Sequence, residues 1–204
     1  DFDALWKTFP AKLRSQIRRA EKEGMVFRAG REDLLDDFYA VFSRNMRDLG
    51  TPVYGAEFFA EILRAFPTNS RIGVVYLNKE PVAGGVLYGF RQVLEIPWAS
   101  SDRRYNRLAP NMLLYRSALE YACREGFGVF DFGRSTPGSG TYHFKRQWGA
   151  RPVQLSWHYW LSNGGPLPDL SPTNEKFRWA ILLWQRLPLF VSQRVGPAVV
   201  RHIP

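Results

Sequence analysis

Apolar residues recur at helical spacing over Ala11 to Glu23, where Leu13, Ile17 and Ala20 share one face. Lys12, Arg14, Arg18, Arg19 and Lys22 occupy the other faces, and Gly24 stands where a helix terminator belongs. Met25 to Ala29 reads as a short strand. Helical period returns over Glu32 to Leu49 through Leu34, Leu35, Phe38, Val41, Phe42 and Met46, with acids in the first turn as the helix dipole prefers. The glycine- and proline-containing stretch from Gly50 to Gly55 breaks that helix, and a second runs from Ala56 to Ala65. Three strands are expected next, at Ser70 to Leu77, Val82 to Phe90 and Val93 to Ala99, the first two joined by a turn at Asn78-Lys79-Glu80-Pro81. Pro110 suits the first position of a helix that runs to Glu125 and stops at Gly126. A buried strand is expected at Val129 to Phe132 and a last, aromatic-rich strand at Gln154 to Leu161. Beyond a linker starting at Asn163-Gly164-Gly165-Pro166, Ser171 and Pro172 are placed to cap and start a helix through Phe177, Ile181, Trp184 and Leu187. The remaining residues, interrupted by Pro188 and Pro197, read as a C-terminal arm.

Between the strand at Val129 and Gly149 lies the stretch with most chemical content. Phe130-Asp131-Phe132-Gly133 opens into a loop of glycines, a proline and hydroxyl residues, then a basic-aromatic segment, Tyr142-His143-Phe144-Lys145-Arg146-Gln147-Trp148-Gly149. A strand ending in a polar loop is where α/β proteins place ligands, because the strand fixes a loop whose backbone N–H groups stay free. Lys145 is the cation expected to carry chemistry. His143, two residues away, is the one histidine worth testing beside it, and Asp131 is expected to fix the loop by hydrogen bonding or to meet substrate. A second basic cluster, Arg103-Arg104-Tyr105-Asn106-Arg107, lies between a strand and a helix and can hold a phosphate; a solvated charged turn is the alternative.

Composition narrows the setting. The 204 residues are 45% hydrophobic and 15% aromatic, enough for one well-cored domain. A net charge of +9 and a pI near 9.9 favour polyanionic company. The single cysteine, Cys123, excludes an internal disulfide and reads as packing. His143, His158 and His202 have no ligand spacing, so no metal site is expected. No apolar run is long enough for a spanning helix, and a cytoplasmic location is expected. The chain begins at Asp1 without methionine or a signal-like leader, as a domain cut from a longer protein would. The apolar helix at Phe177 to Leu187 is expected to pack on a neighbouring surface, with peripheral membrane contact as the alternative.

The element order from Met25, β-α-α-β-β-β-α-β-α-β, resembles the GNAT acyltransferase fold, an α/β (α+β) architecture whose mixed central sheet is flanked by helices and splayed so that an acyl donor lies between strands. That resemblance implies a domain over residues 1–162 followed by a linker and helical arm over 163–204. The segment from Tyr142 to Gly149, with Phe130-Asp131-Phe132-Gly133 before it and the basic helix ending in Gly24, resembles the FemAB-type aminoacyl transferases. Those enzymes attach amino acids from aminoacyl-tRNA to cell-wall peptide precursors. The likeness runs from residue 12 to 161 and is closest to the FemAB-like branch associated with exosortase/PEP-CTERM systems and exopolysaccharide production.

The resemblance implies an acyl- or aminoacyl-transferase acting on an amine of a cell-envelope or exopolysaccharide precursor. Aminoacyl-tRNA or acyl-CoA would serve as donor. FemAB proteins have two GNAT-like lobes and this chain has room for one, so a second lobe or a homo-oligomer is implied. By position Lys145 matches the lysine that steadies charge on the tetrahedral intermediate, with Phe144 its aromatic neighbour and His143 adjoining. Arg134, Ser135, Thr141, Tyr142, Asp131, Arg104 and Arg107 are the expected substrate-binding residues. In the GNAT pyrophosphate turn, Arg104 and Ala109 fit the outer positions, but Arg107 and Leu108 replace small residues, which puts CoA use in doubt. The alternatives are a CoA-dependent N-acetyltransferase and a non-catalytic GNAT-like binding module in an export system.

Overall fold

The computed structural model describes residues 1–160, 164–165 and 175–202, the side chains of 175–177 excepted. The chain opens on a helix the sequence pattern had not suggested, α1 (Phe2–Thr8). Its cause is local: the Asp1 carboxylate accepts from the amide of Ala4 at 2.7 Å, and Phe2, Leu5 and Trp6 turn one face to the core. The basic helix follows as α2 (Ala11–Lys22) and buries Leu13, Ile17 and Ala20, as expected from their spacing. After β1 (Val26–Gly30), a 3₁₀ turn at Glu32–Leu34 feeds α3 (Leu35–Leu49), which ends on Gly50 at φ 79, and α4 (Ala56–Ala65) succeeds it. A meander comes next, with strands β2 (Ser70–Leu77), β3 (Glu80–Phe90) and β4 (Val93–Ser101). Only Asn78 and Lys79 form the hairpin turn between the first two, both at positive φ; Glu80 and Pro81 already pair with Leu77 and Tyr76, so the four-residue turn expected there is two residues long.

The sheet has the order β1-β2-β3-β4-β5, antiparallel up to β4 and parallel between β4 and β5 (Val129–Asp131), with α5 (Pro110–Arg124) as the crossover. It is the mixed sheet flanked by helices that the element order predicts. One face packs α2 and α5 over Val75, Val82, Leu87, Leu94 and Ile96; the other packs α3 and α4 through Phe38, Phe42, Phe59 and Leu63 over Ile72, Val74 and Val86. After a short helix α6 (Gly140–Arg146), α7 (Glu175–Gln185) and α8 (Leu189–Val200) lie against α3. The arm expected to be broken by proline is thus helical. Pro188 caps α8 and Pro197 sits inside it. The expected cap at Ser171 and Pro172 falls outside the described residues.

Two strand expectations are corrected. The strand at Val129 is not buried: it is three residues at the sheet edge among the described residues, Val129 is 54% exposed, and only Phe130 and then Phe132 reach the core. A run of four residues with two phenylalanines reads as fully buried, but its alternate positions face solvent. Gln154 to Trp160 form no strand and are exposed throughout; Leu161 lies outside the described residues. A strand exists only through its ladder, and the short β5 offers little edge to pair with.

Candidate functional site

β4 and β5 pair only from Val93–Val129 to Glu95–Asp131 and then part. At the same point β4 carries a bulge against β3: Tyr88 faces Glu95, whereas Val86 faces Trp98, so Ile96 and Pro97 are the irregular residues. Pro97 has no N–H to donate, which weakens the ladder where the strands diverge. The result is a splay with the β4 bulge on one side and the Gly133–Ser139 loop on the other. Gly133, at φ 71, turns the chain there, and a Cβ on it would lie 3.8 Å from the Glu95 carboxylate and from the Ile96 carbonyl.

The splay collects a charged group around Lys145. The last helix of the sheet domain, α6 (Gly140–Arg146), is started by Ser139, whose hydroxyl accepts from the Tyr142 amide at 3.2 Å. It aims Lys145 back at the loop, where Nζ donates to the carbonyls of Gly133 at 2.9 Å and Arg134 at 2.7 Å. Asp131 accepts from the Gly133 amide at 2.7 Å, the loop-fixing role expected of it. Burial pushes the Lys145 ammonium below the usual lysine range, against the opposing pull of Asp131 and Glu95. Glu95, which sequence reasoning missed, is shifted the other way. Burial and then the Asp131 charge raise its carboxyl, and Arg134 and Lys145 oppose them. An acid in a run of strand residues has no sequence signal of its own; only the parallel register with Asp131 brings it here.

The other expected site residues divide by place. Ser135 lies on the loop next to the carbonyls that Lys145 holds, and its hydroxyl is buried without a hydrogen-bond partner. Arg134 is exposed, with its guanidinium 5.2 Å from the ring centre of Trp157. Thr141 shares a hydrogen bond with the Ser139 hydroxyl at 2.9 Å, and Tyr142 adjoins it. Phe144 packs on Tyr115 and Trp148, so it positions α6 rather than reaching into the splay. His143 is exposed, and two positions along a helix place it on the side away from Lys145, so the two do not converge.

Arg104 and Arg107 sit apart, in a 3₁₀ helix (Arg103–Leu108) after β4. Arg104 is committed internally: its Nε donates to Asp102 at 3.0 Å and its Nη2 to Asp102 at 2.7 Å and Glu80 at 2.8 Å. Asp102 is buried; burial raises its carboxyl, but the Arg104 hydrogen bonds and charge and the Arg44 charge outweigh that and hold it below the usual range. Arg103 pairs with Asp48 at 3.0 Å, and Arg107 is exposed. The amides of Arg104, Tyr105, Ala109 and Met112 are bonded within the turn, to Asp102 or to its own carbonyls. Two surface depressions that share Arg71, Tyr121 and Glu125 are not lined by Lys145. Among the described residues no group of His, Cys, Asp and Glu has the arrangement of a metal site.

Comparison with known proteins agrees with the fold. The family model described as an acetyltransferase (GNAT) domain matches residues 7–146. Among solved structures, FemX superposes with a TM-score of 0.65 at 16% identity, covering 73% of this chain and 56% of FemX, so the chain spans little more than half of that relative. An aminoglycoside acetyltransferase from an uncultured soil metagenomic sample, in complex with sisomicin, gives 0.55 at 16% identity over 68% of this chain and 97% of its own. The aminoglycoside acetyltransferase AAC(6')-Iy, in complex with a CoA bisubstrate analogue, gives 0.53 at 8% identity over 67% and 97%. At these identities the structural likenesses establish the fold. No curated protein matches the chain. The family match covers most of the chain, and the chain belongs to the acetyltransferase (GNAT) domain family: it is an acyltransferase by fold and family, with its specific activity open.

Proposed function

We propose that the domain transfers an acyl or aminoacyl group to an amine on a cell-envelope precursor, in the manner of a FemAB-type lobe. The observation that carries the reading is the charged splay, where Lys145 is anchored by two carbonyls and keeps one N–H unspent beside Glu95 and Asp131. In the proposed step the acceptor amine attacks the donor carbonyl carbon and a tetrahedral intermediate forms. The ester or thioester bond then breaks, releasing the donor's hydroxyl or thiol. Glu95, its carboxyl raised by burial, takes the proton the nitrogen loses and returns it to the leaving oxygen or sulfur, and the Lys145 ammonium steadies the oxyanion. Ser135 and Arg134 line the donor side. Residues 1–162 form the catalytic domain and 163–204 the arm, and a second lobe or second copy completes the acceptor site. The link to exosortase/PEP-CTERM systems and exopolysaccharide rests on the sequence resemblance alone.

A CoA-dependent N-acetyltransferase is the second reading, favoured by the family match and the aminoglycoside acetyltransferase neighbours. Against it stands the Arg103–Leu108 turn, where the Arg104 and Tyr105 amides are already bonded to Asp102 and the Arg104 side chain is already paired, so fewer donors face a pyrophosphate. Calorimetry with CoA and acetyl-CoA decides between them. No saturable binding in the micromolar range is expected. Micromolar binding with transfer of acetyl to an amine, read by mass spectrometry, would replace the aminoacyl reading with the acetyltransferase one.

A further inference from the structure

The C-terminal helices show two different faces. One is docked: Ile181 meets Gly50, Arg47 Nη1 donates to the Leu187 carbonyl at 3.0 Å, Gln193 donates to the Ser43 hydroxyl at 2.9 Å, and Gly196 lies against Val53. The other is bare. Trp179 is 80% exposed, Leu183 68% and Phe190 71%, with Leu182 and Val195 beside them. Interleaved with these are Arg178, Arg186, Arg194 and Arg201, all exposed. Residues 176 to 204 contain no aspartate or glutamate at all, in a chain that has 19 elsewhere.

We propose that α7 and α8 form an interfacial anchor that seats the domain on an anionic phospholipid surface. Tryptophan, leucine and phenylalanine gain by entering the boundary of the acyl region, and arginines among them reach the phosphates of the headgroups. Apart from Glu175 at the start of α7, the anchor has no acid, and its positive charge is the complement of a negative leaflet. A second copy of the chain would meet this face with the same unbalanced positive charge, and a nucleic acid would leave the bare leucines and tryptophan in water. No helix among the described residues is long and apolar enough to cross a membrane, so the contact is along the surface. Arg47, which holds Leu187, also pairs with Asp48, and Asp48 pairs with Arg103 just past β4. The anchor is therefore tied to the end of the strand from which the splay opens. None of this depends on which donor or acceptor the splay takes.

The test is flotation of the whole chain with vesicles of phosphatidylcholine alone or with about one third phosphatidylglycerol, without substrate. Binding to the anionic vesicles only, weakening as salt rises, is expected. Arg178→Gln and Arg186→Gln should each weaken it roughly fivefold, the worth of one basic residue near a charged leaflet. Trp179→Ser with Leu183→Ser should weaken it by at least about tenfold, with an unchanged melting temperature showing that the exposed face and not the fold was altered. Wild-type protein that stays with the soluble fraction in every vesicle would overturn the proposal. So would a dimer in light scattering that Trp179→Ser disperses without vesicle binding, or binding to RNA that exceeds binding to the vesicles.

Discussion

Two clusters of basic residues in this chain look alike in sequence and behave oppositely in space. In the turn at Arg103–Leu108, Arg104 is forked onto buried Asp102 and reaches Glu80, and Arg103 meets Asp48. Carboxylates neutralise Arg103 and Arg104, and the Arg104 and Tyr105 amides are bonded to Asp102. In the splay, Lys145 is held by two neutral carbonyls, with both nearby carboxylates beyond ion-pair distance. One cluster uses its charge to hold the fold; the other keeps its charge for something else. What distinguishes them is the identity of the acceptor, since a carboxylate cancels a cation and a carbonyl only orients it.

The comparison is sharpest at the splay. Glu95→Gln, which keeps the shape and removes the base, should lower turnover by about 10²- to 10⁴-fold with KM little changed. Lys145→Ala should cost on the order of 10²- to 10³-fold in kcat, and Lys145→Arg should rescue only partly, because a planar guanidinium cannot place its charge at the same point. A folded Lys145→Ala variant with wild-type turnover would remove Lys145 from the mechanism and favour a binding module.

The pH profile follows from the same two groups. Glu95 must be ionised, and its carboxyl is raised, so the rate should fall on the acid side at a higher pH than an ordinary glutamate would dictate. Lys145 must be protonated, and its ammonium is lowered, so the rate should fall on the alkaline side earlier than for an ordinary lysine. The working window is narrowed from both ends. Glu95→Gln should erase the acid limb, and survival of that limb would point to another base.

At the turn the effects should appear in stability. Asp102→Ala strips partners from Arg104 and Arg44 and should cost about 1–3 kcal/mol, read by denaturant unfolding. Because the Asp102 carboxyl is held low in the folded protein, its contribution is present above the ordinary aspartate range and is lost as pH falls through the depressed value. The variant should therefore lose part of the wild type's acid sensitivity. The smallest effect belongs to Arg107→Ala, exposed and outside these pairs. Stability should stay within about 0.5 kcal/mol, and only the KM for an anionic donor should rise. A kcat loss there as large as at Lys145 would erase the contrast between the two clusters.

Much of the fold was readable because its signals are local. Gly24, Gly50 and Gly126 stop helices, Pro110 starts one, and Leu13, Ile17 and Ala20 carry a period that only a helix satisfies. The cap at Asp1 was equally local and was passed over. Lys145 and Asp131 could be singled out because a strand, a glycine-rich loop and a basic segment follow one another. Sequence reading failed at the edges of the sheet. Whether Val129 to Asp131 is central or peripheral, and whether Gln154 to Trp160 pairs at all, depends on neighbours far along the chain. Glu95 escaped for the same reason.

The sequence by itself determined the helices α2 to α5, the meander and the stretch where chemistry belongs, because caps, breakers and hydrophobic period act within a few residues. Only the tertiary structure decided which charges are free. Arg104 and Lys145 carry the same charge and similar neighbours in the chain, but one was delivered to a buried aspartate and the other to two loop carbonyls. Coulomb interactions depend on distance through space and on what lies between, and neither quantity is written along the chain.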